Sequence, residues 1–422
     1  MTAQKRRELP TGAGARHGRL RRSVSWANAA RVLLTAVIVV AISGISVSAY
    51  AILGVVQSAE TVDLGTPPPA QTVGAGAQSL EGELTILLVG SDRRGEDSVI
   101  NDGEEGELND VNLLLHVPAD HQSATVISFP RDLMVPIPEC TNPETGETYS
   151  AMSEQQINTS LQYGGLGCTA ATITELTGMA IPYAAMVDFN GVVDISNAIG
   201  GVTVCLAQPI QDDKADLDLP AGEVTLQGIE ALQFLRTRYG VGDGSDVSRI
   251  SNQQVFMSAL LRQLKSAETL SNPVKVYGLA KAGFENLTMS SSMASVQFMQ
   301  QLAGTVVDID LNRVTFVQYP SYTHPSLPGR LSPDYASGSE LINVVLSGQP
   351  FELSAVGEAA VEDPNAAPAE PTEAEAPVEE APAEEAPAEE APAEEPPTTV
   401  LPENVTGQSA ATQTCSAGRT QY

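Results

Sequence analysis

Arginines are concentrated in three short motifs of this 422-residue chain. The segment FLRTRYGVGDGSDVSRISNQQ, residues 234–254, carries Arg236, Arg238 and Arg249, and the motifs GSDRR and FPRD add three more. Two guanidinium groups about 5 Å apart repel each other by roughly 3 kcal/mol at an effective dielectric constant of 20, so the cluster needs anionic neighbours or an anionic ligand. A pyrophosphate fits this need, because guanidinium forks bind phosphate oxygens in pairs and keep their charge.

Carboxylates accompany the arginines. Asp92, Asp132 and Asp246 lie in the same three motifs, and Asp110 opens the apolar segment DVNLLLHV. Such oxygen ligands suit Mg²⁺ or Mn²⁺, which usually share their coordination with substrate phosphates. Internal salt bridges are the alternative, for example between Arg249 and Asp246 three residues earlier. The spacing alone does not decide between a ligand site and structural pairing.

The rest of the chain is strongly acidic. The net charge is −30, of which residues 1–31 contribute +7, residues 351–422 contribute −15 and the middle region contributes −22. This surface repels nucleic acid, whose binding requires clustered cations, so we expect no nucleic-acid partner. The four histidines form no metal-spaced pair, and neither a GxxxxGK loop nor a GxSxG motif occurs.

One long apolar run predicts a membrane anchor. Residues 32–56 contain no charged side chain and are long enough to cross a bilayer as a helix. The basic segment 1–31 favours a cytoplasmic N-terminus, which places the remainder outside the cell membrane. A cleaved signal peptide is the alternative, since Val47-Ser48-Ala49 offers a site for a peptidase. We expect an uncleaved, single-pass signal-anchor, because the run is longer than a usual signal core.

Composition divides the exported part. A linker is expected at 57–81, a folded domain at 82–352, a spacer at 353–404 and a C-terminal segment at 405–422. The spacer contains the Glu/Ala/Pro repeat EPTEAEAPVEEAPAEEAPAEEAPAEEPP, which has no apolar periodicity. Such composition predicts a disordered acidic tail.

The folded domain alternates apolar runs with helical patterns. Strands are expected at residues 83–92, in DVNLLLHV, SATVISFP, YAAMVDF and GGVTVCL, and finally in NRVTFVQYP; helices are expected at 151–165, at 168–178, in NGVVDISNAIG and in SNQQVFMSALLRQLKS. This alternation predicts an α/β fold with a central, mostly buried sheet sandwiched by helices, although the strand order is not fixed. Arg94 and Arg131 follow predicted strands, whereas Arg236 and Arg238 end the helical or extended segment GIEALQFLRTR. Ligands bind at the ends of strands in α/β folds. A helical face of Val255, Phe256, Ala259 and Leu260 is either core or the wall of a lipid pocket.

Six blocks in sequence resemble the LytR-CpsA-Psr family, of an actinobacterial type, over about residues 84–262. They are LLVGSDRR, NDVNLLLHV, ATVISFPRDLMVPIP, INTSLQYGG, ELTGMAIPYAAMVDFNGVVDISNAIGGVTV and GIEALQFLRTR with GDGSDVSRISNQQ. The resemblance implies a membrane-anchored phosphotransferase. Such an enzyme moves a glycopolymer from a polyprenyl-pyrophosphate carrier onto an N-acetylmuramic acid hydroxyl of peptidoglycan and releases polyprenyl phosphate.

The resemblance also implies roles for residues. Asp92 and Asp110 would bind Mg²⁺ or Mn²⁺. The implied catalytic set is Arg94, Arg131, Asp132, Arg236, Arg238, Asp246, Arg249 and Gln253, with Asp110 or Asp132 as the base. Two departures from the family pattern are Arg93, an added charge, and Asn252, which stands where a further arginine is frequent and would leave one wall of the site less positive.

Two other functions stay open at this point. One is a pyrophosphatase that hydrolyses the lipid carrier with the same arginine cage. The other is a non-catalytic envelope protein that binds polymer or regulates. The sequence does not predict the oligomeric state.

The four cysteines are expected to be oxidised, because export past the membrane allows disulfides to persist. Cys140 and Cys168 flank the predicted site and form the favoured pair, which leaves Cys205 for Cys415 beyond the acidic spacer. A buried free thiol at Cys205 with an intermolecular bond at Cys415 is the alternative.

Overall fold

The computed structural model describes residues 59–64, 80–94, 98–100, 106–266, 269, 272–363 and 399–419. The predicted anchor at 32–56, the basic segment before it and the acidic repeat lie outside the described residues. None of the helices in the described ranges is long and apolar enough to cross a membrane.

Twenty-two strands and seven α-helices lie in the described part of the chain. The strands are β1 Glu60–Val62, β2 Leu84–Ser91, β3 Asn109–Val117, β4 Ala124–Phe129, β5 Met134–Ile137, β6 Cys140–Thr141, β7 Thr148–Tyr149, β8 Met152–Gln156, β9 Tyr183–Val187, β10 Val202–Leu206, β11 Ile210–Asp212, β12 Leu217–Leu219, β13 Gly222–Leu226, β14 Leu287–Ser290, β15 Val314–Gln318, β16 Ser321–Thr323, β17 Leu331–Pro333, β18 Phe351–Glu352, β19 Ala360–Glu362, β20 Thr399–Val400, β21 Gly407–Ser409 and β22 Thr414–Ser416. The helices are α1 Ser160–Thr177, α2 Phe189–Ile199, α3 Ile229–Arg236, α4 Asp246–Lys265, α5 Pro273–Asn286, α6 Val296–Val307 and α7 Tyr335–Ser347, with short 3₁₀ turns at Ile157–Thr159 and Leu311–Arg313.

The main sheet has eight strands in the order β1-β14-β9-β2-β3-β4-β15-β21. Its interior strand β4 is buried at every residue. Ile127 belongs to a core cluster on one face and Val126 to a cluster on the other, as the alternation of side chains along a strand requires. Helices α1 and α7 contribute to the first cluster, and α5 and α6 contribute to the second. The expected central sheet between helices is confirmed.

A second sheet of four strands, in the order β13-β10-β22-β19, packs with α3 and α4. Leu206 of β10, Phe234 of α3 and Phe256 of α4 share one buried cluster. Strand β22 is an interior strand, parallel to β10 and antiparallel to β19. Residues from the end of the described chain therefore complete this layer.

One predicted helix is wrong in its first part. Residues 152–156 form strand β8, which pairs with β5, and the helix begins only at Ser160. The stretch MSEQQ has no apolar periodicity of its own, so tertiary pairing decides its conformation. A kink at Gly164 and Gly165 follows, and Gly165 has a φ of 62°, which a glycine adopts without strain.

The domain boundaries also need correction. The spacer was expected to begin at 353, but β19 pairs with β22, and β18 pairs with β20 at residues 399–400. Strand β1 lies inside the predicted linker and pairs with β14, and NRVTFVQYP does not hold the last strand. These short polar strands carry no pattern of their own, because residues distant in sequence provide their partners.

Both favoured disulfides are present. Cys140 is bonded to Cys168, with Cα atoms 5.6 Å apart. Cys205 on β10 is bonded to Cys415 on β22, directly opposite it in the ladder, with Cα atoms 4.4 Å apart. The second bond ties the C-terminal segment to the domain, and no cysteine is free.

Candidate functional site

Sheet topology brings the predicted motifs together. Strand β3 runs antiparallel to β2 and to β4, with Ser91 opposite Asn109 and Asn112 opposite Phe129. The last residues of β2 and β4 therefore meet the first residues of β3 at one end of the sheet. This arrangement places Asp92, Asp110 and Arg131 side by side.

Helix α4 supplies two further charged groups at its first turn. The Ser245 side chain accepts from the Ser248 amide and caps the helix. Asp246 follows the cap, where the positive end of the helix dipole favours a carboxylate. Its Oδ2 accepts from the backbone amide of Arg131 at 3.1 Å, and its Oδ1 lies 2.7 Å from Nη2 of Arg249. The pairing of Arg249 with Asp246 considered from the sequence is present.

Arg131 is the centre of the ion-pair network. Its Nη1 lies 2.7 Å from Oδ1 of Asp110, and its Nε lies 3.6 Å from Oδ1 of Asp246 and 3.8 Å from Oδ2 of Asp132. Burial opposes the charge on Arg131, but the carboxylates of Asp110 and Asp246 outweigh it and raise its pKa. Arg131 therefore stays fully charged in a partly buried site.

Arg249 is the most deeply buried of these arginines, with 4% exposure. Its Nη2 donates to the backbone oxygen of Asp110 at 2.9 Å, and its Nη1 lies 3.8 Å from that residue's Oδ2. Burial lowers the pKa of Arg249, although the Asp246 carboxylate acts against this shift. A second anion at this point would relieve the cost of the buried charge.

Arg94 and Arg236 meet over one aromatic ring. Their guanidinium carbons lie 5.7 Å and 4.8 Å from the ring centroid of Phe189, the first residue of α2. Cation–π attraction holds both groups in one place although they come from distant motifs. Phe189 is not among the residues that the sequence predicts for the site; it falls in the expected strand YAAMVDF, whereas the structure ends that strand at Val187 and begins α2 at Phe189.

Asp132 faces a different set of partners. Its Oδ1 accepts from Nε2 of Gln156 at 2.6 Å and from Nη1 of Arg330 at 2.7 Å. Burial raises the pKa of Asp132, and the Asp246 carboxylate adds to this shift, whereas nearby arginines such as Arg131 act against it. Arg330 was not among the predicted site residues, because it precedes β17 far along the chain.

The backbone that carries Arg236 and Arg238 is held from α4. Nδ2 of Asn252 donates to the carbonyl of Phe234 at 2.9 Å, and Nε2 of Gln253 donates to the carbonyl of Leu235 at 3.0 Å. Asn252 is fully buried, and its Oδ1 accepts from the Ser416 hydroxyl. The prediction that Asn252 forms a less positive wall of the site is wrong: its amide ties α3 to the C-terminal segment.

Asp212 holds the same segment from the opposite side. Its Oδ2 accepts from Thr237 Oγ1 at 2.6 Å and from the amides of Arg238 and Tyr239 at 3.1 Å each. Burial opposes its charge, but these donors and the Thr237 hydroxyl above all lower the pKa of Asp212. Asp212 is 4% exposed. It is a positioning residue for the two arginines, and no sequence pattern marked it.

An apolar cavity of about 280 Å³ opens at the cage. The polar residues of its wall are Ser91, Asp110, Asp188, Ser196, Arg236, Arg249 and Gln253. Its apolar lining comes from strands β2, β3 and β9 and from helices α2, α3 and α4, including Leu88, Val111, Ala185, Val192, Ile195, Leu232, Leu235, Phe256, Met257 and Leu260. Of the predicted helical face, Phe256 and Leu260 line the cavity, and Phe256 also belongs to the core cluster that contains Ala259.

The carboxylates of Asp92 and Asp110 fit a divalent cation by their chemistry. Oδ1 of Asp92 accepts from the Leu108 amide at 2.7 Å, while its Oδ2 lies 3.9 Å from Nη1 of Arg94. Burial raises the pKa of Asp92, and the negative charge of Asp110 also raises it. A hard cation accepts such oxygen ligands and would offset the repulsion between them.

Arg93 lies outside this constellation. Its side chain is 44% exposed and lies 4.0 Å from Glu107 and 3.9 Å from Glu144. The added charge in GSDRR therefore faces outward.

An arginine and aspartate cage at the mouth of an apolar cavity, built at the strand ends of an α/β sheet, defines a site for an amphiphile with an anionic head. The chain belongs to the LytR_cpsA_psr family, whose model matches residues 54–328. This confirms the family resemblance drawn from the sequence blocks.

Curated relatives carry cell-wall names. "Cell wall biosynthesis protein LcpA" of Corynebacterium glutamicum is 30% identical over 268 residues, which is 57% of this chain and 50% of the relative. "Polyisoprenyl-teichoic acid--peptidoglycan teichoic acid transferase TagT" of Bacillus subtilis is 28% identical over 193 residues, 45% of this chain and 54% of the relative. The chain thus spans about half the length of the curated relatives it matches.

A solved structure supports the fold. The "LytR-Csp2A-Psr enzyme from Actinomyces oris" aligns with a TM-score of 0.50 at 20% identity and covers 68% of this chain and 95% of that one. At this identity the likeness concerns the mixed α/β fold alone.

Proposed function

We propose that this protein is a phosphotransferase that moves a glycopolymer from a polyprenyl-pyrophosphate carrier onto an N-acetylmuramic acid hydroxyl of peptidoglycan, releasing polyprenyl phosphate. One observation carries the proposal. The arginine cage stands at the mouth of the apolar cavity, so one ligand can place a pyrophosphate among cations and a hydrocarbon chain among leucines. Family membership and the names of the relatives support the same reaction.

The cage arginines would bind the lipid-linked phosphate. Arg236 and Arg249 lie at the mouth of the cavity, where the lipid-linked phosphate would sit, and Arg94 shares a ring with Arg236. Preorganised cations stabilise charge that develops on a transferring phosphoryl group and on its leaving group. Since the cavity of about 280 Å³ is small, it takes only the part of the polyprenyl chain nearest the head.

Asp132 is the better of the two candidate bases. Both carboxylates are paired with an arginine at 2.7 Å, Asp110 with Arg131 and Asp132 with Arg330, but burial raises the pKa of Asp132 and thus increases its affinity for a proton. In the proposed step the acceptor hydroxyl oxygen bonds to the sugar-linked phosphorus. The bond from that phosphorus to the bridging oxygen breaks, polyprenyl phosphate leaves, and the hydroxyl proton passes to Asp132.

Asp92 and Asp110 would hold Mg²⁺ or Mn²⁺. The ion would supply positive charge next to the phosphate oxygens. Asp110 also fixes Arg131, which joins the cation site to the arginine cage.

The proposal includes an extracytoplasmic location. Residues 32–56 would anchor the chain in the cell membrane as a single span, with residues 1–31 in the cytoplasm. Two disulfides in the folded domain support an oxidising compartment. The membrane, the lipid-linked glycopolymer and peptidoglycan are the proposed partners.

A reconstitution assay tests the reaction. The full chain in detergent is incubated with a synthetic polyprenyl-pyrophosphate oligosaccharide, with and without a soluble muropeptide acceptor. We expect attachment of the oligosaccharide to muramic acid and one polyprenyl phosphate per transfer. Phosphate release that is independent of the acceptor would identify a pyrophosphatase instead, and binding without turnover would identify a non-catalytic protein.

The position of the lipid is tested by filling the cavity. Leu260→Trp narrows it, and we expect turnover of a long-chain carrier to fall while an analogue with one or two isoprene units is still used. Ile229→Trp is the matched control, because Ile229 is 43% exposed on α3 and does not line the cavity. Equal losses with both carriers would contradict the assignment.

A further inference from the structure

A second, larger cavity lies close to the arginine cage. Its volume is about 880 Å³, within the range of small-ligand sites. Nine residues line it: Gln208, Pro209, Gln211, Asp212, Asp213, Lys214, Tyr239, Gly240 and Arg419. The apolar cavity is lined mostly by hydrocarbon, whereas the lining of this one is mostly amides, carboxylates, two cations and one phenol.

A four-residue segment connects the two cavities. Arg236 lines the apolar cavity, and Tyr239, three residues later, lines the polar one. Arg238 lies between them in the chain. The bonds from Asp212 to this segment fix the backbone that both cavities share. A ligand that contacts Tyr239 therefore contacts a residue only a few positions along the chain from the arginines that would bind the pyrophosphate.

The side chains around Tyr239 suit an anionic ligand rich in hydroxyl groups. Nζ of Lys214 lies 4.2 Å from the ring centroid of Tyr239, and Nη1 of Arg419 donates to the Tyr239 carbonyl at 3.4 Å. Tyr239 is nevertheless 42% exposed. An amphipathic ring of this kind offers an apolar face and a polar edge to a ligand. Lys214 and Arg419 line the cavity together with Asp212 and Asp213, and the Asp212 carboxylate is already bonded to Thr237 and to backbone amides.

Three separate parts of the chain build the cavity and fix its shape. The β11–β12 hairpin provides Asp212 to Lys214, the segment after α3 provides Tyr239, and the C-terminal segment provides Arg419. Val241 forms a β-bridge with Gly418, and the Gly242 amide donates to the Ala417 carbonyl at 3.3 Å. The bond from Cys205 to Cys415 anchors the same segment three residues before Gly418. The cavity is thus preformed and needs no closure.

We propose that this cavity binds the glycan strand that accepts the polymer. The inference rests on the proposed phosphotransfer. Because the apolar cavity takes the lipid and the cage takes the pyrophosphate, the acceptor has to approach from a polar side, and Tyr239 opens such a side next to Arg238. Sugar rings pack on the phenol, carboxylates of the acceptor pair with Lys214 and Arg419, and the amides of Gln208 and Gln211 meet sugar hydroxyls.

Acceptor kinetics test the proposal. Tyr239→Ala and Lys214→Gln are assayed in the full chain at fixed lipid carrier and varied soluble muropeptide. Loss of a contact worth about 1.4 kcal/mol raises the acceptor KM about tenfold, and we expect this in each variant while the KM for the lipid carrier stays unchanged. Tyr322→Ala is the control, since Tyr322 is a 56% exposed tyrosine on β16 away from the cavity lining.

A second readout separates this inference from the function on which it rests. The same muropeptide is titrated into wild-type protein and into both variants by calorimetry, without the lipid carrier. If the wild type transfers polymer but the variants keep its acceptor KM and its affinity, the acceptor site is elsewhere. If the wild type shows no transfer, the phosphotransferase proposal fails, and binding lost in the variants alone would still place a glycan in the cavity.

Discussion

Nη1 of Arg131 lies 2.7 Å from Oδ1 of Asp110, across the adjacent strands β4 and β3. A residue expected to clamp phosphate is therefore also the counter-ion of a residue expected to bind metal. The structural pairing that the sequence presented as an alternative to ligand binding is thus present among the side chains that are proposed to bind the ligand. Substitutions of different cage residues therefore differ in how much they lower stability in addition to activity.

Arg236→Ala is the clean test of the phosphate clamp. Removing one such donor costs transition-state stabilisation of about 3 kcal/mol, or a 10²- to 10³-fold loss in kcat. We expect the unfolding free energy to change by less than about 1 kcal/mol, because a cation–π contact such as that with the Phe189 ring contributes about this much outside a fully buried site. Chemical denaturation and steady-state kinetics measure both quantities. Wild-type turnover would contradict the cage.

Arg131→Ala should also lose turnover. Unlike Arg236→Ala, it should in addition lower the free energy of unfolding. Its removal takes away one of the two arginines that Asp110 and Asp246 share, the other being Arg249, and breaking a buried ion pair typically costs about 3 kcal/mol or more. The sequence alone predicts no difference between Arg131 and Arg236 in their effect on stability. Comparison of Arg131→Ala with Arg131→Lys by urea denaturation distinguishes lost charge from lost geometry.

Divalent cations should stabilise the protein as well as activate it. Saturating Mn²⁺ at 100 times its Kd adds about 2.7 kcal/mol of stability, and we expect this increment in wild-type protein and its loss in Asp92→Asn with Asp110→Asn. Thermal unfolding with and without a chelator reports it without an activity assay. Full turnover in a chelated, metal-free preparation would show that both carboxylates are structural.

Asp212 should make stability fall in acid. Its folded pKa lies below the ordinary value of 3.8, because Thr237 and backbone amides bind the ionised form. Its contribution is therefore complete above pH 3.8 and is lost as the pH falls through the folded pKa. Asp212→Asn should cost about 2 kcal/mol at pH 7, since hydrogen bonds to a charged group are replaced by neutral ones. The variant should lose the corresponding acid dependence, and unfolding measured from pH 2 to 7 gives both results.

Reduction of the disulfides should destabilise the domain unequally. In the chain-entropy model the bond between Cys140 and Cys168, 28 residues apart, contributes roughly 3.6 kcal/mol, and the bond between Cys205 and Cys415, 210 residues apart, contributes roughly 5 kcal/mol. Double Cys→Ser variants of each pair, compared by denaturation, test this order. Peptide mapping under non-reducing conditions tests the connectivity, and a linkage of Cys140 to Cys205 would refute it.

The sequence was informative where one segment determined its own structure. The apolar runs of β2, β3 and β4 and the glycine-terminated helices are local patterns. They predict the sheet, its helices and most of the cage. Asp212, Phe189 and Arg330 could not be found in this way. Each acts on a residue distant in sequence, such as Asp212 on Thr237 and Arg330 on Asp132, and only the folded chain brings them together.

The same reason accounts for the wrong boundaries. Glu/Ala/Pro composition predicts a segment that cannot form a core of its own, but it does not reveal where flanking residues pair with strands elsewhere. Strand β19 finds its partner β22 about fifty residues later in the chain. Burial of Asn252 is a comparable case, because Ser416 lies 164 residues away.

Strand β22 sets an order of events during biosynthesis. Because it lies between β10 and β19 in the second sheet, the strands of that sheet cannot all pair until residues 414–416 have been synthesised and have reached the folding domain. Until then one edge of β10 presents unpaired amides and carbonyls, which invite pairing with other chains. The protein therefore finishes folding only after nearly all of its described chain has emerged. Truncation within the acidic repeat should yield an aggregating product and not merely a shorter enzyme.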